Sequence, residues 1–344
     1  MSAVLDNTLG APVARVEITP VLEMRNADKI YSTGTFGGGQ LKAVRDASFT
    51  VMPGEVVSLI GESGSGKSTI GKMALHLISV DGGEMLLDGR DVTTLKGRAL
   101  RNYYTDVQGI FQDPFSSYNP IYKIDRVFDT IHINYFPKVK RAEWTERVQD
   151  TLRSVGMRPD DIMGKYPHQC SGGQLQRVLI ARALMLSPKL LVADEIISML
   201  DASTRIDVLN LLVELKQRGL GILFITHDLS LGNYVSDRVV ILYKGRIVES
   251  GNTRKVFENP LHPYTRELLA SVPDLDLTWE EAEALEAERS ARLAGRCLFH
   301  EALPNALPSD EGLFEVEPGH KVGCFRLGPE DPCPLQLVQL AQAA

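Results

Sequence analysis

The chain has 344 residues, of which 44% are hydrophobic and 24% are charged, and its formal net charge at pH 7 is −7. This composition predicts a globular protein with room for one large domain and a smaller one. An acidic chain without clustered Lys and Arg is not expected to have nucleic acid as its main partner, because neutralising phosphates requires such clusters.

Several features indicate a cytosolic chain that does not cross a membrane by itself. The most apolar helix candidate, residues 178–186, is interrupted by Arg182, so no run reaches the length of a bilayer span. The first twenty residues lack the basic start, apolar middle and cleavage site of a secretory signal. The cysteines are Cys170, Cys297, Cys324 and Cys333. They are too scattered for a disulfide framework, which fits a reducing compartment.

The order of elements along the chain predicts an α/β fold. Residues 1–20 contain Pro, Gly and Ala without periodicity and are predicted to be a loose tail. From about residue 21, short apolar runs alternate with helical patterns. Buried strands are predicted at residues 56–60, 190–193 and 222–225. Helices are predicted after Lys67, Gly173 and Thr204. This alternation predicts a largely parallel sheet with crossover helices.

Turns and a change in composition divide the chain further. Residues 37–39, three glycines, are predicted to form a turn between two early strands, and Lys244-Gly245 is predicted to be a hairpin turn. Beyond Asn259-Pro260 the chain is rich in proline and has a single charged helical stretch, residues 279–293. We therefore place a domain boundary near Pro260, between residues 21–259 and a C-terminal extension, residues 260–344.

A phosphate-binding loop is predicted where the first buried strand meets the first helix. The motif consists of Gly61, Glu62, Ser63, Gly64, Ser65, Gly66, Lys67, Ser68 and Thr69. Its strand-loop-helix context argues against a plain glycine turn with a surface lysine. Backbone N–H groups of such a loop surround phosphates, Lys67 would reach the terminal phosphates, and Ser68 would bind Mg²⁺.

Polar residues at the ends of two later strands are candidates for catalysis. The apolar run 190–193 ends in Asp194 and Glu195, and buried strands rarely end in two acids that have no function. Asp194 is expected to hold Mg²⁺ through water, and Glu195 is placed to act as general base on an attacking water. His227 follows the strand at 222–225. A lone histidine at a strand end is more often a satisfied hydrogen-bonding group, but this position favours a functional role.

A second glycine turn, Cys170-Ser171-Gly172-Gly173-Gln174, precedes an apolar-periodic helix. Two adjacent glycines let the backbone approach an anion, and the helix start would then point at phosphate. Taken alone, the turn leaves an ordinary loop with a serine cap as a serious alternative.

Together these motifs make residues 21–259 resemble an ATP-binding cassette (ABC) ATPase, with every diagnostic element in order. The resemblance implies a P-loop NTPase fold with a RecA-like core, an antiparallel β subdomain and a helical subdomain. It also implies that the protein binds ATP and Mg²⁺. Two cassettes of this family close on two ATPs, so Ser171, Gly172, Gly173 and Gln174 would complete the partner's site.

The resemblance assigns roles to four further positions. Tyr31 would stack on adenine, although a plain core aromatic is the alternative for a single ring before a turn. Gln112, in Phe111-Gln112-Asp113-Pro114, would sense Mg²⁺ and the attacking water. Asp201 would lie in the loop that faces the partner's site, and His227 would contact the γ-phosphate.

The chain departs from the family pattern at two places. Cys170 stands where many members have Leu, and Ile196-Ile197 follows Glu195 where a proline is usual. Neither change removes a phosphate ligand. We interpret Cys170 as an inert small hydrophobic residue rather than a redox switch.

Residues 259–265 are similar to the start of the C-terminal extension in ATPases of dipeptide and oligopeptide importers, and residues 111–120 resemble the same subfamily. This implies a peripheral subunit at the cytoplasmic face of the inner membrane. Its partners would be a second, homologous ATPase, two permease subunits and an extracytoplasmic binding protein. Oligosaccharide and nickel importers in the subfamily remain alternatives to peptide.

Members of this subfamily often hold an iron–sulfur cluster with four cysteines of the extension. Cys297 and Cys324 look like the first and last of that set, but Leu303 lies where a second is expected. No cysteine lies near Ser309, and Cys333 could replace only one. We therefore predict no cluster.

Other classes of protein fit less well. Cassette ATPases of translation or DNA repair usually carry tandem cassettes or a long coiled-coil insertion, and exporter halves commonly carry a fused membrane span. A regulatory ATP-binding module without turnover is disfavoured because Lys67, Asp194, Glu195 and His227 are all present.

Overall fold

The computed structural model describes residues 18–32, 39–270 and 313–323. The tail up to residue 17, residues 37 and 38 of the glycine turn, the predicted helix at 279–293, and Cys297, Cys324 and Cys333 lie outside this part of the chain. The strands are β1 (Leu22–Ser32), β2 (Gln40–Val51), β3 (Val56–Ile60), β4 (Gly82–Leu87), β5 (Arg90–Asp91), β6 (Val107–Ile110), β7 (Leu190–Asp194), β8 (Gly221–Thr226), β9 (Arg238–Tyr243), β10 (Arg246–Asn252), β11 (Leu313–Glu317) and β12 (His320–Gly323). The α-helices are α1 (Lys67–Ala74), α2 (Gly97–Asp106), α3 (Asp125–Tyr135), α4 (Arg141–Ser154), α5 (Gly172–Leu184), α6 (Ala202–Gln217), α7 (Leu229–Val235), α8 (Thr253–Glu258) and α9 (Pro263–Ala270).

The smaller sheet is antiparallel, with strand order β2-β1-β4-β5. In its register Leu22 of β1 lies opposite Val51 of β2 on one side and Leu87 of β4 on the other. All three side chains are buried, and they share a core with Ile70 and Met73 of α1. This sheet is the antiparallel β subdomain that the sequence predicts.

The larger sheet has strand order β11-β12-β10-β9-β3-β8-β7-β6, and β9, β3, β8, β7 and β6 run parallel to one another. Every residue of β3 and β8 is buried, as expected for parallel strands that are covered on both faces. The strands predicted at 56–60, 190–193 and 222–225 are confirmed, as is the hairpin turn at Lys244-Gly245 between β9 and β10.

Alternating residues of the parallel strands enter two different cores. Leu191 and Ala193 of β7 pack with helices α3 to α6, whereas Leu190 and Val192 pack with α1 and the antiparallel sheet. This division follows from the two-residue period of a strand. In the helical core Trp144 is 2% exposed and stacks on His132 with ring centroids 4.9 Å apart. These helices form the predicted helical subdomain beside a RecA-like core.

The described part of the C-terminal region packs directly on the larger sheet. β12 pairs antiparallel with β10, so Glu249 lies opposite Val322. The buried Glu249 carboxylate accepts hydrogen bonds from the backbone N–H groups of Leu261 and His262 and lies 2.7 Å from Nε2 of His320. Helix α9 and the β11–β12 hairpin are thus joined to β10 through one carboxylate. The division of the chain at residues 259 and 260 stays a prediction.

The histidines on either side of this carboxylate have opposite charge preferences. Burial lowers the pKa of His262 to about 3, and nearby Arg266 acts in the same direction. Burial also disfavours charge on His320, but the carboxylates of Glu249 and Glu317 together raise its pKa above the usual range.

Across the three described ranges of the chain, none of the helices is both long enough and apolar enough to cross a bilayer.

Candidate active site

The carboxyl ends of the parallel strands bring the candidate residues to one edge of the larger sheet. The register places Ile60 of β3 opposite Thr226 of β8, Asp194 of β7 opposite Ile225, and Ala193 opposite Ile110 of β6. The segments that follow these strands therefore begin side by side. They carry the phosphate-binding loop (residues 61–69), His227, Glu195 and Gln112. Ligands of open parallel sheets bind at such an edge.

The phosphate-binding loop turns sharply into α1. Gly66, immediately before Lys67, has φ +109°, and a Cβ atom there would lie 2.6 Å from the carbonyl oxygen of Ala43. Only glycine fits this conformation and this close approach without displacing the backbone. The Ser65 hydroxyl is buried without a hydrogen-bond partner in the described part of the chain. An unpaired buried hydroxyl inside an anion-binding loop suits a polar ligand.

Lys67 is the buried cation of the site, with 5% of its surface exposed. Its Nζ donates hydrogen bonds to the carbonyl oxygens of Gly61 (2.7 Å) and Glu62 (2.8 Å). Burial lowers the pKa of Lys67, and the carboxylates of Glu195, Asp194 and Glu62 oppose that shift. These acids favour the charged ammonium that phosphate recognition requires.

Ser68 and Asp194 form a pair of hard oxygen ligands. The Ser68 hydroxyl donates to Oδ1 of Asp194 at 3.3 Å. Burial raises the pKa of Asp194, with Glu195 adding to the shift and Ser68, Lys72 and Lys67 opposing it. A cation beside this carboxylate would offset its desolvation, and a hydroxyl with a carboxylate suits Mg²⁺. In the described residues no three His, Cys, Asp or Glu side chains cluster as metal ligands, and Mg²⁺, which retains waters and binds phosphate oxygens, does not need such a cluster.

Glu195 and His227 lie beside each other at the ends of β7 and β8. Oε1 of Glu195 is 3.1 Å from Nδ1 of His227, and the side chains are 21% and 59% exposed. Because a carboxylate only accepts hydrogen bonds, this contact requires a proton on Nδ1 of His227. Glu195 has φ +51°, in the left-handed region, while its backbone N–H donates to the carbonyl of Ile225 at 2.9 Å. Such a conformation costs about 1–3 kcal/mol in a non-glycine residue and is concentrated at functional sites.

The second glycine turn caps its own helix. Ser171 Oγ accepts from the N–H of Gln174 at 3.2 Å, and Gln174 Oε1 accepts from the N–H of Ser171 at 2.9 Å. This is a capping box. A Cβ at Gly173 would lie 2.3 Å from Cγ2 of Thr204, so the turn packs tightly on the start of α6. The serine-cap interpretation is therefore right as far as the local structure goes, and it is compatible with anion binding at the same turn.

Asp201 caps the neighbouring helix α6. Its carboxylate accepts from the N–H and hydroxyl of Thr204 and from the hydroxyl of Ser203. The backbone N–H of Thr204, followed by the two hydroxyls, lowers the pKa of Asp201 to about 2. Arg205 lies outside the motifs that the sequence reveals. Its guanidinium donates to the carbonyls of Leu200 and Ser198 and so holds the loop before Asp201. An arginine four residues after the capping aspartate is the only local signal for it.

The two departures from the family pattern are both absorbed by the core. Cys170 is 9% exposed and burial raises the pKa of its thiol, which agrees with an inert apolar residue. Ile196 and Ile197 are 1% and 2% exposed and lie in the same core of helices α3 to α6.

The two remaining candidates, Gln112 and Tyr31, are both exposed. Gln112 is exposed and lies two residues beyond the end of β6. Tyr31 lies near the end of β1, opposite Leu41 of β2. Its ring is 37% exposed, so it is not a core aromatic, and Nζ of Lys29 is 5.7 Å from its centroid. The role of each residue stays a prediction.

One further residue touches the phosphate-binding loop and has no role in the sequence analysis. The hydroxyl of Tyr264 in α9 accepts a hydrogen bond from the backbone N–H of Glu62 at 2.9 Å. In the sequence, Tyr264 stands out only as part of the motif at residues 259–265. No local pattern links two positions that are separated by about two hundred residues.

The chain is similar in sequence to known protein families and to named proteins. Residues 44–198 match the family model described as ABC transporter, and residues 248–308 match that of the oligopeptide/dipeptide transporter C-terminal region. The chain is 42% identical over 316 residues to a protein of Brucella ovis whose name describes a peptide import ATP-binding protein. The alignment covers 90% of this chain and 98% of the relative. It is 40% identical to the dipeptide transport ATP-binding protein DppF of Lactococcus lactis, over 88% of this chain and 93% of that one.

Solved structures of ABC proteins share the fold. The cbiO1 protein from Clostridium perfringens, part of an ABC transporter complex, aligns with a TM-score of 0.63 and 25% identity over 78% of this chain and 99% of its own. An ATP-binding cassette in a dimeric post-hydrolysis state with ADP and Pi aligns with a TM-score of 0.61 and 26% identity, over 68% of this chain and 99% of its own. The chain therefore belongs to the ATP-binding ATPases of the ABC transporter family, in the branch with the oligopeptide/dipeptide transporter C-terminal region.

Proposed function

We propose that this chain is the ATP-hydrolysing subunit of a binding-protein-dependent importer of dipeptides or oligopeptides. The observation that carries the proposal is the arrangement at one sheet edge, where Lys67, Asp194, Glu195 and His227 follow adjacent parallel strands. The names of the relatives, peptide import and dipeptide transport ATP-binding proteins, support the substrate class.

In this proposal the phosphate-binding loop holds ATP. The backbone N–H groups of residues 63–69 bind the phosphates at the start of α1, where the helix dipole favours negative charge. Lys67 moves its ammonium to the terminal phosphates. The exposed ring of Tyr31 stacks on adenine. Ser68 and Asp194 would hold Mg²⁺, assisted by Gln112, and the ion would neutralise phosphate charge.

Glu195 is the proposed general base. Its carboxylate accepts the proton from the attacking water, and the strained backbone at φ +51° fixes the direction in which it points. Nδ1 of His227 lies 3.1 Å from the carboxylate, and the doubly protonated ring would donate from Nδ1 to Glu195 and from Nε2 to the γ-phosphate. The two side chains thus divide the chemistry between proton acceptance and phosphate binding.

The second glycine turn and Asp201 act on a different molecule in this proposal. Ser171 is exposed at the start of α5, and its cap is satisfied within the turn. Its remaining hydrogen-bonding capacity and the helix start are directed to the phosphates of a partner's ATP. A dimeric cassette among the structural relatives supports a partner of the same kind, and we propose a homologous second ATPase.

The proposal includes two permease subunits, an extracytoplasmic binding protein and attachment to the cytoplasmic face of the inner membrane. Tagged full-length chain extracted from its native membranes in mild detergent should retain two permease polypeptides and a second ATPase, identified by mass spectrometry. Recovery with ribosomes or DNA instead would contradict it. Mass spectrometry of the ligand on the co-purified binding protein should find peptides, and an oligosaccharide or nickel would refute the peptide assignment.

A further inference from the structure

Tyr264 is fixed in place before it reaches the phosphate-binding loop. It lies in α9 with 6% of its surface exposed, and its ring packs on Tyr243 with centroids 4.3 Å apart. Its backbone N–H donates to Nδ1 of the His262 ring. The backbone N–H of His262 in turn donates to the carboxylate of the buried Glu249. The ring therefore occupies one defined position between β9, β10 and α8.

The hydroxyl of Tyr264 contacts the loop at a single peptide unit. It accepts the N–H of Glu62 at 2.9 Å, while the carbonyl oxygen of Gly61, at the other end of the same peptide bond, accepts from Nζ of Lys67 at 2.7 Å. One planar peptide group thus lies between Tyr264 and Lys67. Because peptide groups are rigid and polarise along their N–H and C=O directions, a contact at one end affects the other.

The chemistry of the phenol suits a fixed support. Burial raises the pKa of Tyr264, Glu62, Tyr243 and Glu267 add to the shift, and the N–H of Glu62 opposes it. The side chain therefore stays neutral at physiological pH and holds the N–H without adding negative charge beside the phosphates.

We propose that Tyr264 is a positioning residue of the nucleotide site. Its hydroxyl holds the Gly61–Glu62 peptide in the orientation from which the following N–H groups and Lys67 meet the nucleotide phosphates. The inference rests on the proposed function. It makes α9, at the start of the C-terminal extension, a support of ATP affinity.

The test is Tyr264→Phe in the full-length chain, with Tyr234→Phe as control. Phe keeps the ring and its packing on Tyr243 but removes the hydroxyl. The control removes a hydroxyl that donates to Asn210 at 2.8 Å on α6. We expect the Kd for MgATP to rise about three- to tenfold in Tyr264→Phe, because the N–H of Glu62 loses its partner, and to stay unchanged in Tyr234→Phe. In the assembled transporter, KM for ATP should rise more than kcat falls.

Amide hydrogen exchange gives a second readout on the wild-type chain. The Glu62 N–H should be protected although it lies in an exposed loop, and Tyr264→Phe should lose that protection at Glu62 and not across α5. Fast exchange of this amide in the wild type, or an unchanged Kd in a folded Tyr264→Phe variant, overturns the inference. If the wild-type chain does not bind MgATP, the proposed function fails. If the wild-type chain binds MgATP and the Kd of Tyr264→Phe is unchanged, only the role of Tyr264 fails, so the two failures can be told apart.

Discussion

The phosphate-binding loop (residues 61–69) and the second glycine turn (residues 170–174) are both rich in glycine, and each starts a helix. Different kinds of contact hold them in place. The loop is held from several directions: Lys67 binds two of its carbonyls, Ser68 contacts Asp194, and Tyr264 binds the N–H of Glu62. The turn is held by the hydrogen bonds of its own capping box and by packing on the start of α6.

This difference indicates which part of a nucleotide site each of the two segments can form. Ionisable side chains that could act on a phosphate lie in or beside the loop, namely Lys67, Asp194, Glu195 and His227. The second glycine turn offers a helix start and the Ser171 hydroxyl. Its glycines pack on the apolar Leu200 and on Thr204. A turn of this kind can recognise an anion but cannot by itself supply the chemistry, which is why we assign it to the site of a partner.

The largest expected effect tests the loop side. Glu195→Gln should lower kcat for ATP hydrolysis by about 10²- to 10⁴-fold in the assembled transporter, because the amide cannot accept the proton of the attacking water. MgATP binding should persist. The measurement is phosphate release at saturating ATP, with Glu214→Gln, an exposed position on α6, as control. Turnover at the wild-type rate would remove Glu195 from the chemistry.

The next effect tests the turn. Gly173→Ala places a methyl 2.3 Å from Cγ2 of Thr204 and should displace the turn from α6. Overpacking of this kind costs about 1–3 kcal/mol, so we expect turnover in the assembled transporter to fall about tenfold. The Kd of the separate chain for MgATP should not change, since that affinity belongs to the loop. A matching loss of affinity would break the division between the two turns.

A smaller effect isolates the capping box. Ser171→Ala removes the oxygen that accepts the N–H of Gln174 and should lower the free energy of unfolding by about 1 kcal/mol. Urea denaturation measures this change. Ser230→Ala, in the first turn of α7 where Asp228 provides the cap, is the matched control and should be close to neutral. Equal losses in both variants would show that the box does not stabilise α5.

The smallest effect uses pH to separate the two turns. Helix α9, which contacts the phosphate-binding loop, is held by the Glu249 carboxylate together with His262 and His320. We call these three residues the Glu249 joint. The capping box contains only Ser171 and Gln174. The folded pKa of His262 is about 3, so its contribution is complete above the unfolded value near 6.5 and is lost as pH falls toward 3. The folded pKa of His320 is raised, so its contribution is complete below about 6.5 and is lost as pH rises through the folded pKa.

We therefore expect protection factors of amides in β12 and α9 to be greatest near pH 6.5, while those at the start of α5 stay flat. His320→Gln should abolish the loss on the alkaline side. A flat profile for β12 in the wild type would show that the joint does not titrate.

Much of this architecture is predictable because its signals are contiguous. The buried runs at 56–60 and 222–225 are apolar throughout, and each is followed at once by a polar motif, so strand, edge and candidate site are read together. The capping box is also local, because Ser171 and Gln174 are three residues apart.

Other features depend on pairings that no window of sequence contains. The contact of Tyr264 with Glu62, the approach of His227 to Glu195 and the pairing of β12 with β10 each join distant parts of the chain. The left-handed backbone of Glu195 is similar, because its N–H is held by Ile225 of the neighbouring strand. These are products of the assembled sheet.

The pairing of β12 with β10 has a consequence for how the chain can be shortened. A protein cut after residue 259 would leave β10 as an edge strand, with the backbone groups that now pair at Glu249, Ser250 and Gly251 open to another chain. It would also remove the partners of the Glu249 carboxylate, which are the backbone N–H groups of Leu261 and His262 and the ring of His320. Because the hairpin at residues 313–323 covers β10, a shortened cassette that retains it should stay soluble at concentrations where the cut one precipitates.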